Sequence, residues 1–129
     1  MLVKRRKALA GLLLTAAITA VALAVAAPGG AASRHKLSLR ASASGALKFN
    51  TKTLNAAPGK VTITLTNPSG SGLKHAVEVE GHGVEKRSST IGPGKKASVT
   101  VRLKAGTYKF YCPVDGHKVT MNGKVVVKR

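Results

Sequence analysis

Tyr111-Cys112-Pro113-Val114-Asp115-Gly116-His117-Lys118-Val119-Thr120-Met121-Asn122-Gly123 holds the chain's one cysteine, a histidine five residues later and a methionine four beyond that. Thiolate, imidazole and thioether together are a donor set that selects copper, and two imidazoles with one thiolate and a weak axial methionine make the blue-copper arrangement. The stretch lacks the second histidine. His75 supplies it, opening the alternating run His75-Ala76-Val77-Glu78-Val79, in which odd-numbered residues share one face. The same period in Tyr108-Lys109-Phe110-Tyr111-Cys112 puts Tyr108, Phe110 and Cys112 on one side and Lys109 and Tyr111 on the other. His75 and Cys112 therefore point where the apolar residues point. Two strands facing one core would bring them together, with the loop 113–122 folding over to present His117 and Met121.

Outward from this stretch the chain alternates between short strand patterns and turn signals. Val61-Thr62-Ile63-Thr64-Leu65-Thr66 sends aliphatics one way and threonines the other, and Val99, Val101 and Leu103 repeat the pattern. Ala57-Pro58-Gly59-Lys60, Asn67-Pro68-Ser69-Gly70-Ser71-Gly72, Gly81-His82-Gly83, Gly92-Pro93-Gly94 and Ala105-Gly106 read as turns or loops. No helical pattern stands out after the N-terminal segment, and nothing repeats. The expected fold is all-β, an antiparallel sandwich. With no Trp, two Tyr and two Phe, its core must be built mainly from Val, Ile and Leu.

Leu47-x-Phe49, Pro58-Gly59-Lys60-Val61-Thr62-Ile63, Asn67-Pro68, His75, Gly106-Thr107-Tyr108-x-Phe110-Tyr111-Cys112 and the Cys-x4-His-x3-Met ending together resemble the cupredoxins, the plastocyanin and azurin group of small copper proteins. The resemblance runs from about Ala46 to Arg129. It implies a Greek-key β-sandwich of about seven to eight strands binding one type 1 copper, with His75, Cys112 and His117 equatorial and Met121 axial. It also implies one-electron transfer, with electrons passing at the exposed edge of His117 next to Lys118. Two positions depart from the family's habit. Ala76 stands where a small polar residue, often Asn, follows the first histidine, and Pro113 stands where Ser or Thr follows the cysteine. The missing side-chain bridge bears on the rigidity and potential of the site, since such bonds orient ligands and tune a metal.

At the N-terminus, Lys4-Arg5-Arg6-Lys7, an uncharged apolar run from Ala8 to Ala27 and the small, helix-breaking Pro28-Gly29-Gly30-Ala31-Ala32-Ser33 follow the plan of a secretory signal, assigned to residues 1–32. The alternative is an uncleaved membrane anchor, since about 20 apolar residues can span a bilayer. In an exported chain the lone cysteine is an oddity that needs an explanation. It can form no internal disulfide, and a free thiol in an oxidising compartment is explained if it is a metal ligand. Residues 33–45 are basic, small and polar, and read as a linker or frayed first strand ahead of a copper-binding domain over 46–129. Cleavage after Ala32 would expose Ser33-Arg34-His35, whose amine, amides and imidazole could wrap a second Cu(II) in a square plane.

Of 22 Lys and Arg, four fall in the leader, and the remaining 18 against four acids leave the exported chain at about +14 with histidines neutral. That charge favours an acidic redox partner, or an anionic cell-envelope surface. Nucleic acid is not expected, because export, scattered lysines and the absence of an aromatic stacking platform all weigh against it. A monomer is expected. His82, in a glycine-flanked turn, reads as an exposed turn residue. Tyr111 reads as cover for the sheet. An enzyme would need an open coordination position or a second copper cluster, and four histidines with one cysteine cannot supply the cluster. An exported electron carrier and a copper buffer or delivery protein share every ligand and remain the two readings.

Overall fold

The computed structural model describes residues 34–129; the expected signal segment lies outside the described residues. Eight strands follow in order: β1 Arg34–Arg40, β2 Thr53–Ala56, β3 Gly59–Thr66, β4 Glu78–Gly81, β5 Val84–Arg87, β6 Lys96–Leu103, β7 Gly106–Tyr111 and β8 Asn122–Val127, with one short 3-10 turn at Ser69–Ser71. They form two sheets, ordered β1-β3-β6 and β2-β8-β7-β4-β5. This is the expected all-β Greek-key sandwich. β1 runs parallel to β3 and β2 parallel to β8, so both sheets are mixed rather than purely antiparallel.

Period-two burial makes the core. In β3, Val61, Ile63 and Leu65 are buried, while Thr62 and Thr64 face outward and meet Thr100 and Ser98 of β6 through their hydroxyls, 2.9 Å apart in each pair. Val99, Val101 and Leu103 complete this inner face. The second sheet answers with Leu54, Val79, Tyr108, Phe110, Val125 and Val127. The Phe49 and Phe110 rings meet at 5.6 Å. Removing a fully buried aromatic such as Phe110 would cost about 3–5 kcal/mol. Gly123 is required by this packing, because a Cβ there would fall on the Phe110 ring and the Lys52 carbonyl.

Of the two readings of residues 33–45, linker or frayed first strand, the structure shows a strand over Arg34–Arg40. Residues 34–40 form β1, paired along its length with β3, and Ala41 bridges to Phe49. Leu39 and Ala41 are buried in the core while Arg34, Lys36, Ser38 and Arg40 face solvent. The alternation was present but muted, since a half-buried His35 and two leucines are its only large inward groups. The basic outer face suits an edge strand, where exposed charge discourages pairing with another chain. The folded domain thus includes residues ahead of Ala46, with β1 and Ala41 part of the sandwich. The same strand bears on the square-planar copper site: Arg34 and His35 lie in β1 opposite Lys60 and Val61, and His35 Nε2 is buried. A chelate there would require peeling this end of β1 from the sheet. Ser33 lies outside the described residues.

Candidate metal centre

The three nitrogen and sulfur donors expected from the sequence converge at one end of the sandwich. His75 precedes β4, Cys112 directly follows β7, and His117 sits in the loop between β7 and β8. One ring nitrogen of each histidine and Sγ of Cys112 all lie within 4.8 Å of one another. This is the single such group among the described residues. Nδ1 of His75 is 3.9 Å and Nδ1 of His117 is 3.6 Å from Sγ. A first-row ion at the centre of a trigonal plane, about 2.3 Å from sulfur and about 2.0 Å from nitrogen, would hold those atoms about 3.7 Å apart. The donor spacing therefore fits an ion between them better than it fits direct hydrogen bonding.

Backbone contacts fix each ligand. Cys112 N–H donates to the carbonyl of Met121 at 3.0 Å, and Met121 N–H donates to the carbonyl of His117 at 2.8 Å. Within the loop, His117 N–H donates to Val114 O at 3.0 Å, an early turn that carries the imidazole back over the sulfur. His75 lies just before β4 rather than inside it, held by a two-way bridge in which His75 and Ile91 exchange N–H to carbonyl bonds of 3.0 and 2.8 Å. The strict alternation expected through His75–Val79 does not hold here. Ala76 and Glu78 are buried along with His75, Val77 and Val79; Glu78 is paired with Arg87, its register partner on β5, whose Nε lies 3.4 Å from its carboxylate.

Two residues that sequence reasoning left in loops or without a role do the positioning. Asn67 is fully buried. Its Nδ2 donates to Leu73 O at 2.7 Å and to Ile91 O at 3.1 Å, and its Oδ1 accepts from the Ser71 hydroxyl. The Ile91 carbonyl thus receives both Asn67 and His75. Ser88 does similar work on the other flank, its Oγ accepting from Val77 N–H at 3.0 Å and donating to Ser89 O. An Asn-Pro pair closing a clean strand is the available signal for Asn67; Ser88, first of the run Ser88-Ser89-Thr90 after β5, offers none.

Burial grades the donors. His75, Cys112 and Met121 are 0% exposed and His117 is 9% exposed, so His117 is the one member of the set whose edge reaches the surface. Burial, and secondly the nearby His117, hold the His75 pKa below its usual 6.5, which favours the neutral, ligating imidazole. Its far nitrogen, Nε2, is buried without a hydrogen-bond partner, so the ring is oriented by packing and by its main-chain bridge.

A model of the copper binding proteins of the plastocyanin/azurin family matches residues 36–128. The chain belongs to that family. Two solved structures show the fold of this cupredoxin: auracyanin B, 21% identical with a TM-score of 0.66 over 77% of this chain and 91% of that one, and auracyanin A of Chloroflexus aurantiacus, 20% identical with a TM-score of 0.64 over 74% and 100%. No curated protein matches the sequence. With family and donor geometry together, the cofactor is copper, and His75, Cys112 and His117 form the converging donor group that could hold it, with Met121 buried at the end of the same loop.

Around the site, Tyr111 turns its hydroxyl outward to donate to Glu80 Oε2 at 3.0 Å, and Lys118 Nζ lies 3.9 Å from the Tyr111 ring centre and 4.0 Å from the same carboxylate. Burial first, then the hydrogen bond to Glu80, push the phenol pKa up and keep it protonated. His82 lies away from the donors, its ring against Tyr108 at 5.0 Å.

Proposed function

We propose that this cupredoxin is an exported electron carrier, not an enzyme, with His75, Cys112 and His117 as equatorial ligands of one copper and Met121 as the axial ligand. The observation that carries the reading is the burial and main-chain fixation of the donors. Copper supplies one-electron chemistry between Cu(I) and Cu(II) when bound. The chain's part is to hold two imidazoles and a thiolate at spacings that change little between the two states and to exclude water. Auracyanin A is described as a "blue" copper protein, and the same chemistry suits the donor set here. His117 gives electrons a short route out, since its edge alone reaches solvent.

A copper buffer would use the same ligands but would need them to release the ion readily. The loop closed at Cys112 and Met121 favours retention over release. Fast electron self-exchange with reversible voltammetry is the expected result for the copper-loaded protein. Rapid loss of copper to an acceptor, with sluggish exchange, would favour the buffer. Export rests on the signal pattern of residues 1–32, and is tested by fractionating cells that make the full chain and determining the N-terminus of the mature protein by mass spectrometry. An acidic redox partner follows from the charge of about +14, obtained from 18 bases and four acids beyond the leader.

A further inference from the structure

Beside the ligand loop, on the outer face of the larger sheet, lies a groove of about 520 Å³ whose walls include Lys52, Lys109, Lys118 and Lys124, with Tyr111 and Asn122 between them. All four lysines are exposed. Lys109 and Lys124 are direct cross-strand partners in the β7–β8 register. Like charges placed directly opposite destabilise a sheet, and among the described residues neither has a carboxylate within 4.0 Å. The other two are partly engaged. Lys52 Nζ donates to Thr120 O at 2.9 Å, next to Met121, and Lys118 stacks on Tyr111 near Glu80.

The acids lie on the other side of the same tyrosine. Glu78, Glu85 and Asp115 line a second depression that shares Tyr111 and Lys118 with the lysine groove, and Glu80 holds the Tyr111 hydroxyl. These are all four acids of the chain. On a surface this basic, chance would scatter four carboxylates among the lysines. Within the sheet Glu80 is the β4 register partner of Lys109, so Lys109 stands between a carboxylate and Lys124; the positive charge beyond it, at Lys124 and Lys52, has no acid in register, which gives the face a direction.

We propose that the lysine groove is the seat of an acidic, carboxylate-bearing peptide segment of the redox partner, which docks with its carboxylates between Lys109 and Lys124 and is turned away from the acidic flank. The inference rests on the carrier reading, and names the contact that reading requires. A depression of about 520 Å³ has room for a short stretch of chain. Lys118 follows His117 directly, so a segment held there stands beside the exposed edge of the ligand. Lys52 ties the opposite wall to the end of the ligand loop.

The test uses the reduced, copper-loaded protein and hexaglutamate as the probe, followed by amide chemical shifts. Shifts should concentrate at Lys52, Lys109, Tyr111, Lys118, Asn122 and Lys124. Lys109→Glu with Lys124→Glu should weaken binding by about tenfold or more, while Lys60→Glu with Lys86→Glu, the same change of net charge at a distance, should weaken it only about twofold. Unchanged spectral dispersion confirms that both variants fold. Shifts spread over all surface lysines, or equal weakening by the two pairs, would overturn the groove, even with fast electron exchange. Localised binding supports it even if exchange proves slow. Inorganic polyphosphate that displaces the peptide at lower concentration would assign the groove to a phosphate polymer and overturn the proposal.

Discussion

The amide of Cys112 donates to the carbonyl of Met121 across 3.0 Å, so the two ends of the ligand loop are joined by main chain. The loop's shape is therefore set by the polypeptide and does not wait for the metal. Ten residues, 112–121, are held between the end of β7 and the start of β8, with His117 at the turn. The same bond explains how Pro113 is accommodated: proline removes only its own N–H, and the donors that close the loop belong to Cys112, His117 and Met121.

Because Met121 is tied by its backbone, its side chain can be changed without opening the loop. Met121→Leu should keep the intense colour of the oxidised protein and raise the potential, as loss of a thioether donor disfavours Cu(II). Each tenfold loss of Cu(II) affinity relative to Cu(I) raises it by about 59 mV. A potential that is unchanged or lower in voltammetry would show that Met121 only packs.

Asn67→Ala should destabilise the domain by about 1–3 kcal/mol, since it removes a fully buried amide that donates to Leu73 O and Ile91 O and accepts from Ser71, leaving Leu73 O with only the longer 3.3 Å bond from the Ser71 hydroxyl and Ile91 O with one of its two donors. The effect should reach the metal. His75 bonds to the same Ile91 carbonyl, so the visible spectrum of the copper form should shift as well. Denaturant unfolding with spectra of the folded variant checks both; full stability with an unaltered spectrum would remove Asn67 from the positioning role.

Much of this arrangement was legible in the sequence because period two is a physical constraint. Alternation in 61–66, 99–103 and 108–112 located three strands, and the burial of Tyr108, Phe110 and Cys112 follows the parity. The sequence of β1 leaves tether and frayed first strand both open because its inward positions are few and flanked by Arg, Lys and Ser, so the hydrophobic signal falls below that of a free-standing strand. It becomes a strand through β3, a long-range pairing that no local pattern encodes. Tyr111 was placed outward on parity, which is right for its direction, but it is buried there by Glu80 and Lys118, side chains from another strand and another loop. Asn67 and Ser88 act through contacts distant in sequence and gave little sign of it.

The depressed pKa of His75 sets the pH response of the metal-free protein. The folded value lies below the usual 6.5, so as pH falls below about 6.5 the unfolded chain takes up a proton that the fold resists, and stability is lost down to the folded pKa. Denaturant midpoints of the metal-free protein should therefore fall between about pH 7 and pH 5. His75→Gln should flatten that part of the curve. The same slope in wild type and His75→Gln would assign the effect elsewhere.

Electron transfer with an acidic partner should slow as salt shortens the Debye length from about 30 Å to about 10 Å. Lys118→Glu should slow it further, since a carboxylate there would face Glu80 beside the exposed edge of His117. Stopped-flow rates across that salt range check both. Salt-independent rates would point to apolar docking instead, for which the 84% exposed Val119 is the nearest candidate.

The account depends most on a bond between the Cys112 sulfur and copper. The visible and EPR spectra of the purified domain, titrated with Cu(II), test it directly. An intense colour that saturates at one equivalent, bleaches on reduction and disappears in Cys112→Ser, with a weaker copper site left behind, is the predicted result. A colourless wild-type protein that nevertheless binds one equivalent of Cu(II) would contradict it.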